Sequence, residues 1–198
     1  MLYFLSQFES VLSEFRLFQY ITVRTLGAAA TGFVVMLLIS PSWIHRLRSI
    51  NFSEQKVDER VGVERKGHKV GTPTMGGIII IIATTFSTLL WAIPTNRYVL
   101  LTLGTLIVMG AIGFLDDYWK IKRKNGLSIR GKFLAQLIWA MVVFSVLWSD
   151  PETQQRVRDL MVPFYKYPLI DLGLVGGWIF IVVVLVGASN AVNLTDGL

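Results

Sequence analysis

The chain has 198 residues, of which 53% are hydrophobic and 16% charged, with a net charge of +6 and a mean hydropathy of +0.56. A soluble domain needs a polar surface, so this composition excludes that class and indicates a membrane protein. The absence of cysteine excludes a disulfide framework, a thiolate nucleophile and a cysteine metal site.

Five apolar segments are long enough, or nearly so, to cross a bilayer core of about 30 Å as helices. They cover residues 20–40, 75–93, 98–115, 133–148 and 173–189. Continuous apolar runs such as IIIIIATTF at 78–86 and IFIVVVLVGA at 179–188 replace the alternating pattern of a barrel, which favours helices over barrel strands. We therefore predict an all-α fold, a polytopic membrane helix bundle with about five transmembrane helices, forming one membrane domain over residues 1–198.

Basic residues concentrate in two connections between these segments. Residues 42–71 hold seven Lys or Arg and residues 118–132 hold six, whereas residues 149–172 hold three against four acids. Short basic loops remain in the cytoplasm. We therefore predict that the loops 42–72 and 118–132 are cytoplasmic and that the N-terminus lies outside.

Asp116 and Asp117 close the third apolar segment. A charged side chain at membrane depth costs roughly 2.5 to 3.5 kcal/mol, so this pair requires water, a cation or a ligand. Neighbours on a helix lie about 100° apart, so the two carboxylates need not share one role. A hard cation such as Mg²⁺ fits carboxylates beside basic loops. The alternative is an exposed helix end that faces lipid headgroups.

The sequence GTPTMGG precedes the second apolar segment, with Thr72 and Thr74 between its glycines and Lys69 just before it. Backbone N–H groups in such a turn can approach an anion, and the dipole of the following helix favours negative charge. The alternative is a loop that only caps the second segment, with Thr72 or Thr74 as the N-cap.

The sequence NAVNLTDG places Asn193 and Asp196 at the exit of the fifth apolar segment. A polar group buried there without a partner would cost about 1 to 3 kcal/mol, and such groups suit recognition of a base, ribose or phosphate. Asn and Asp are also ordinary helix-end and turn residues, so both interpretations stay open.

Three strings, taken together, resemble one family: KVGTPTMGG at 69–77, GFLDDYWK at 113–120 and NAVNLTDGL at 190–198. In this order and on one side of the membrane, they closely resemble phospho-N-acetylmuramoyl-pentapeptide transferase, the bacterial membrane enzyme that makes lipid I. The resemblance covers the whole chain. Sister enzymes of the polyprenyl-phosphate N-acetylhexosamine-1-phosphate transferase superfamily generally share the Asp pair but differ at GTPTMGG.

The resemblance implies a Mg²⁺-dependent reaction of peptidoglycan synthesis in the bacterial inner membrane, with the active face in the cytoplasm. Undecaprenyl phosphate would attack the sugar-linked phosphorus of UDP-MurNAc-pentapeptide, giving lipid I and UMP. The expected partners are these two substrates and the lipid bilayer, with no nucleic acid. A homodimer is compatible with the resemblance, and no residue pattern in the chain selects it.

By motif, the resemblance makes Asp116 the base or phosphate-activating carboxylate and places Asp117 in the magnesium and phosphate network. It leaves open which of the two has which role, and both are the Mg²⁺ ligands expected from this chain. The substrate-binding residues that it implies are Lys69, Thr72, Thr74, Lys120, Lys132, Asn193 and Asp196.

In the family, NLTDG normally continues into a further Asp and Gly and then about as many spans again, with a later metal-binding Asp and a histidine-rich loop. This sequence ends at Leu198. We therefore expect it to be the N-terminal part of the enzyme and to have no transferase activity alone. A fragment of a split or incompletely read gene is compatible with the same interpretation.

The alternative from a different class is a membrane transporter or a lipid-binding module. It predicts acidic or polar residues near the middle of the spans, where they would form an ion or proton path. The middles of the five segments are largely apolar, which favours the enzyme.

Overall fold

The computed structural model describes residues 1–49, 57–58, 63–64, 75–123 and 126–196, with side chains described for 1–47, 75–120, 122 and 126–191. It divides into two compact units, Met1–Gly126 and Leu127–Leu198.

In its described residues, the first unit contains three α-helices, two 3-10 helices and a pair of very short strands. The 3-10 helices are Leu2–Phe8 and Ser13–Gln19. The α-helices are α1 (Ile21–Ser49), α2 (Gly77–Trp91) and α3 (Arg97–Arg123). The antiparallel strands are β1 (Val57–Asp58) and β2 (Val63–Glu64).

Small residues allow α1 and α2 to approach closely. The Trp91 ring lies against Gly27, where a Cβ atom would overlap it, and the Trp91 Nε1 donates a hydrogen bond of 2.9 Å to Thr31 Oγ1. Nearer the middle of the helices, a Cβ atom on Gly32 would lie 3.3 Å from Ser87 Oγ. Close backbone approach at small residues is typical of helices packed in membranes.

The second unit contains two long helices joined by a short helix and a hairpin. Its helices are α4 (Ile129–Trp148), α5 (Pro151–Arg158) and α6 (Gly173–Asp196). Its strands are β3 (Asp159–Leu160) and β4 (Ile170–Asp171), which pair antiparallel with Asp159 opposite Asp171.

Hydrogen bonds fix the junction of α5, the hairpin and α6. The Arg158 guanidinium donates two hydrogen bonds to Asp171, of which the one from Nε is 3.1 Å long. The Asp171 carboxylate also accepts from the Gly173 N–H at 2.8 Å. Gly173 has a φ of +63°, in the left-handed region that glycine adopts without strain. One carboxylate therefore connects the hairpin to both adjoining helices.

The outer surface of the helices is apolar, as lipid contact requires. On α4 the buried residues include the polar Gln136, whereas Leu134 and Ile138 are exposed. A helix packed in water shows the reverse pattern. In the described part of the chain, α1, α3, α4 and α6 each contain a segment long and apolar enough to span a membrane, and α2, with 15 residues, is shorter. The prediction of an all-α polytopic membrane fold with about five helices is therefore confirmed.

The helices extend beyond the apolar segments that the sequence outlined. Helix α1 continues through Pro41 to Ser49, α3 continues eight residues past Leu115, and α6 reaches Asp196. Hydropathy marks only the portion of a helix that suits lipid, whereas backbone hydrogen bonding continues into polar surroundings. Part of the basic stretch 118–132 is therefore helical. The single-domain assignment and the membrane boundaries stay predictions.

Candidate active site at the end of α3

Asp116 and Asp117 lie within α3, two turns before its end, and share one cationic partner. The Lys120 Nζ atom lies 2.8 Å from Asp116 Oδ2 and 3.2 Å from Asp117 Oδ1. Asp116 is buried, with 6% of its surface exposed, whereas 41% of the Asp117 side chain is exposed. One ammonium group therefore bridges a buried carboxylate and an accessible one.

The sequence spacing explains this arrangement. Lys120 follows Asp116 by four residues and Asp117 by three, so on a helix it lies between the two diverging carboxylates. A buried carboxylate without a counter-charge is strongly destabilising, which gives the Lys120 contact a structural role as well as an electrostatic one.

The backbone of Gly126 packs against the ion pair of Asp116 and Lys120. A Cβ atom on Gly126 would lie 2.5 Å from Asp116 Oδ1 and 3.0 Å from Lys120 Cγ, so the backbone there packs directly on the ion pair. Only glycine fits without displacing one of the two side chains. Gly126 is not among the residues predicted from the sequence, because a lone glycine in a basic connection is typical of any turn.

The start of α2 lies at the same end of the first unit as Asp116. A Cβ atom on Gly110, six residues before Asp116, would overlap Ile81 in the first turns of α2, which places the two helices antiparallel. The described part of the GTPTMGG turn, residues 75–77, and the Asp pair therefore lie at the same end of the α2–α3 pair.

The N-cap of α2 is Gly76, with no side-chain cap hydrogen bond among the described residues. Before it, Met75 is buried and has a φ of +70°, a conformation that costs a residue other than glycine about 1 to 2 kcal/mol. Cβ atoms on Gly76 and Gly77 would meet no described atom within 4 Å. Among the described residues, therefore, none packs against Gly76 or Gly77 at the start of α2, and the first N–H groups of a helix favour an anion.

The other implied site residues are placed only in part. Lys132 lies in the first turn of α4, whose N-cap Ser128 accepts a hydrogen bond of 3.1 Å from the Gly131 N–H. Helix α6 includes positions 193 and 196, but the side chains of Asn193 and Asp196 lie outside the described residues, as do Lys69, Thr72 and Thr74. Their roles stay predictions.

A hydrogen bond between the buried Gln136 and the half-buried Asn190 joins α4 to α6 one turn before Asn193. Gln136 is 1% exposed, and its Oε1 accepts a hydrogen bond of 2.8 Å from Asn190 Nδ2 while its Nε2 donates one of 3.2 Å to Ser189 Oγ. Asn190 Nδ2 also donates to the Val186 carbonyl at 2.8 Å. Gln136 is likewise absent from the residues predicted from the sequence, although a lone glutamine in an apolar span was an available signal.

The carboxylates of Asp116 and Asp117 suit Mg²⁺ better than a metal whose ligands must all come from the protein. Among the described residues, no cluster of three or more His, Cys, Asp or Glu is placed to hold a metal ion. Asp116 and Asp117 nevertheless converge on one cationic group, Lys120. Mg²⁺ is usually held by one or two carboxylates together with water and phosphate, which matches this pair.

Known proteins with similar sequences support the motif interpretation. The family model described as Glycosyl transferase family 4 matches residues 98–198, and the Phospho-N-acetylmuramoyl-pentapeptide-transferase signature 1 matches residues 69–81. The phospho-N-acetylmuramoyl-pentapeptide-transferase of Methylacidiphilum infernorum is 42% identical over 100% of this chain and 56% of its own length. Those of Desulforapulum autotrophicum and Desulfosudis oleivorans are 41% and 43% identical, over 99% and 94% of this chain and 54% and 51% of their own lengths.

The chain thus spans about half the length of these relatives. The family model covers residues 98–198, about half of the chain, and the signature covers the turn before α2. Together with the similarity along the whole chain, these matches confirm the resemblance: the chain belongs to glycosyl transferase family 4 and carries the phospho-N-acetylmuramoyl-pentapeptide-transferase signature 1.

Proposed function

We propose that this chain forms part of an enzyme that transfers phospho-MurNAc-pentapeptide from UDP-MurNAc-pentapeptide to undecaprenyl phosphate, giving lipid I and UMP. The observation that carries the proposal is the Asp116, Lys120 and Asp117 cluster near the end of a helix of membrane-spanning length. A lipid-linked phosphate and a water-soluble nucleotide can meet at such a place, because membrane and water adjoin there.

In the proposed reaction, an oxygen of undecaprenyl phosphate bonds to the sugar-linked phosphorus, the bond from that phosphorus to the bridging oxygen breaks, and UMP leaves. Both reactants are anionic, so their approach requires positive charge held in place beforehand. Lys120 supplies such charge from the protein, and bound Mg²⁺ would neutralise phosphate oxygens. We assign Asp116 to orienting or deprotonating the attacking phosphate, and the more exposed Asp117 to the Mg²⁺ and phosphate network.

The proposal places the reaction at the cytoplasmic face of the bacterial inner membrane, with the N-terminus outside. Lys69, Thr72 and Thr74 would contact the nucleotide from the turn before α2. Asn193 and Asp196 would do so from the end of α6, and Lys132 would add positive charge near the phosphates. Association as a homodimer stays part of the proposal.

The amide contact between Gln136 and Asn190 does not favour a transporter. Gln136 and Asn190 are polar residues within the α4 and α6 spans, but they are neutral and bind each other. An ion or proton path would instead require ionisable or cation-binding groups.

The decisive experiment measures lipid I formation in membranes by the full natural protein that contains this chain. Asp116→Asn should lower the rate by at least about 10²-fold, the usual contribution of a positioned acid or base. Asp117→Asn should raise the Mg²⁺ concentration needed for half-maximal rate. Lys122→Gln is the matched control, since this exposed lysine on the same helix contacts the Tyr118 ring rather than the carboxylates. Full activity of Asp116→Asn would refute the assignment.

We further propose that the 198 residues alone form no lipid I, because the relatives that carry the activity in their names are about twice as long. The chain purified in lipid should be inactive under conditions in which the full natural protein is active. Lipid I formed by the chain alone would contradict this.

A further inference from the structure

The connection between β3 and β4 presents an apolar surface to its surroundings. Phe164 is fully exposed, and Tyr165 and Tyr167 are both more than half exposed, with their rings in edge contact at 6.3 Å. The same connection exposes Met161 and Leu169. We call residues 161–169 the hairpin tip. An exposed apolar patch that includes three aromatic rings marks an interaction surface.

The backbone of the hairpin tip shows that the Phe164 ring is held outward at a cost. The Tyr165 N–H donates a hydrogen bond of 3.2 Å to the Val162 carbonyl, closing a turn with Pro163 second and Phe164 third. Phe164 has a φ of +70°. The third position of such a turn is usually glycine, because a side chain with a Cβ atom is disfavoured at positive φ. A bulky ring at a strained backbone position is a reason to look for a role of the ring.

The base of the hairpin holds the tip firmly at one end of two membrane-length helices. The Leu169 N–H donates to the Leu160 carbonyl and the Leu172 N–H to the Arg158 carbonyl, each at 2.8 Å. Helix α4 ends at Trp148, three residues before α5 begins, and α6 begins two residues after β4 ends. The hairpin tip therefore belongs to the end of α4 opposite Lys132.

The composition of the hairpin tip matches the boundary between lipid and water. Between Leu160 and Ile170 the only charged residue is Lys166, which is exposed, and there is no acid. Tyrosine is enriched where a bilayer meets water, and a lysine beside it is attracted to anionic headgroups. A docking surface for an acidic or strongly polar partner would lack this apolar and aromatic content.

We propose that the hairpin tip inserts Phe164, Tyr165 and Tyr167 into the headgroup region of the bilayer, with Lys166 directed at anionic lipid. The hairpin then anchors the junction between α4 and α6 to the membrane surface. This inference is independent of the proposed transferase activity, because it concerns only where the hairpin tip lies.

The test uses the absence of cysteine from this chain. In the full natural protein, with any cysteine elsewhere replaced by serine, a single cysteine at position 164 carries a nitroxide label. A cysteine at Gln155, exposed on the polar helix α5, is the matched control. In vesicles of phosphatidylethanolamine and phosphatidylglycerol, spin-label saturation measures collisions with oxygen, which enters lipid, and with a water-soluble nickel chelate.

We expect the ratio of oxygen to nickel collisions to be several-fold higher at position 164 than at position 155. Equal ratios would place the hairpin tip in water, and few collisions with either reagent would place it against protein. Either result would overturn the proposal.

In a second measurement, Phe164→Gly suits the turn but removes the ring. It should shift a label at Tyr167→Cys toward water while hydrogen exchange of the Leu169 amide stays slow. An unchanged label at 167 would show that the ring does not anchor the hairpin tip.

Discussion

At the scale of single residues, the site consists of two carboxylates of α3 that contact one lysine of the same helix. The backbone of Gly126 packs against that lysine and the buried carboxylate. Lys120 reaches both Asp116 and Asp117 because three and four residues are the spacings that meet on a helix surface. The sequence predicts the pair, its divergence and a nearby cation. It does not predict which carboxylate is buried, because that depends on what packs against each face of α3, and the Gly126 backbone, beyond the end of the helix, lies against Asp116.

The first prediction concerns Gly126. Gly126→Ala places a Cβ atom 2.5 Å from Asp116 Oδ1, so the carboxylate or Lys120 must move. In the full natural protein we expect lipid I formation to fall by about tenfold or more, since small displacements of positioned groups have large effects on rate. The amount of the Gly126→Ala variant in the membrane should equal that of the unsubstituted protein. Gly113→Ala is the control, because a Cβ atom there meets no described atom within 4 Å. Equal rates for the two variants would rule out a positioning role for Gly126.

A second prediction concerns Asp171, which lies outside the spans. Hydrogen bonds from Arg158, and then from the Gly173 N–H, lower the pKa of Asp171 below its ordinary value of 3.8. A lowered folded-state pKa contributes stability that is present above the ordinary value and lost as the pH falls through the folded-state value. Asp171→Asn should therefore lower the melting temperature at pH 7, and this difference should shrink below about pH 4.

The control for this prediction is Asp159→Asn, since Asp159 lies opposite on β3 and accepts its hydrogen bond from Gln155 rather than from Arg158. A difference in melting temperature between the natural protein and Asp171→Asn that stayed constant from pH 7 to pH 3 would count against the ion pair as its cause.

At the scale of elements, the apolar segments of the sequence predict where the helices lie, but they do not predict where the helices end. Helix α3 continues past Leu115 to Arg123, because hydropathy changes at the bilayer boundary while the backbone ladder does not. The strands β3 and β4 have two residues each, too few for an alternating pattern to identify them. The contact of Gln136 with Asn190 likewise depends on which faces of α4 and α6 meet, which one sequence does not state.

The third prediction concerns this contact. Gln136→Leu removes the acceptor of one of the two hydrogen bonds that the half-buried Asn190 Nδ2 donates, and such a bond contributes about 0.5 to 1.5 kcal/mol. We expect faster hydrogen exchange in α6 near Asn190. Gln136→Glu preserves the acceptor geometry and should retain slower exchange than Gln136→Leu when its carboxyl is protonated at low pH. Exchange in α6 that does not respond to Gln136→Leu would contradict the role of the contact.

At the scale of the whole molecule, composition indicates a membrane protein and the distribution of charge predicts its orientation, and no single motif is needed for either inference. The excess of Lys and Arg in residues 42–71 and 118–132 predicts the orientation in the membrane, whichever way the helices pack. The family follows from a match over residues 98–198 and a signature at residues 69–81, whereas the resemblance is carried by three strings far apart in sequence. Burial and pairing of individual groups cannot be read at this scale, because they arise from helix faces and close approaches that composition does not encode.

The fourth prediction tests the orientation. Helix α4 separates Arg130 from Gln155, and both positions are exposed. In intact cells, a membrane-impermeant thiol reagent should label Gln155→Cys and leave Arg130→Cys unlabelled until the cells are opened. Labelling of Arg130→Cys from outside would reverse the predicted topology.

The uninterrupted course of α3 has a geometric consequence. From Arg97 to Asp116 the helix rises about 28 Å at 1.5 Å per residue, close to the thickness of a hydrocarbon core. The distance between Arg97 and the carboxylates along the helix axis is therefore set by the number of residues between them. It does not depend on the conformation of a loop. Each residue added within this length would raise Asp116 by about 1.5 Å and turn it by about 100° around the helix axis.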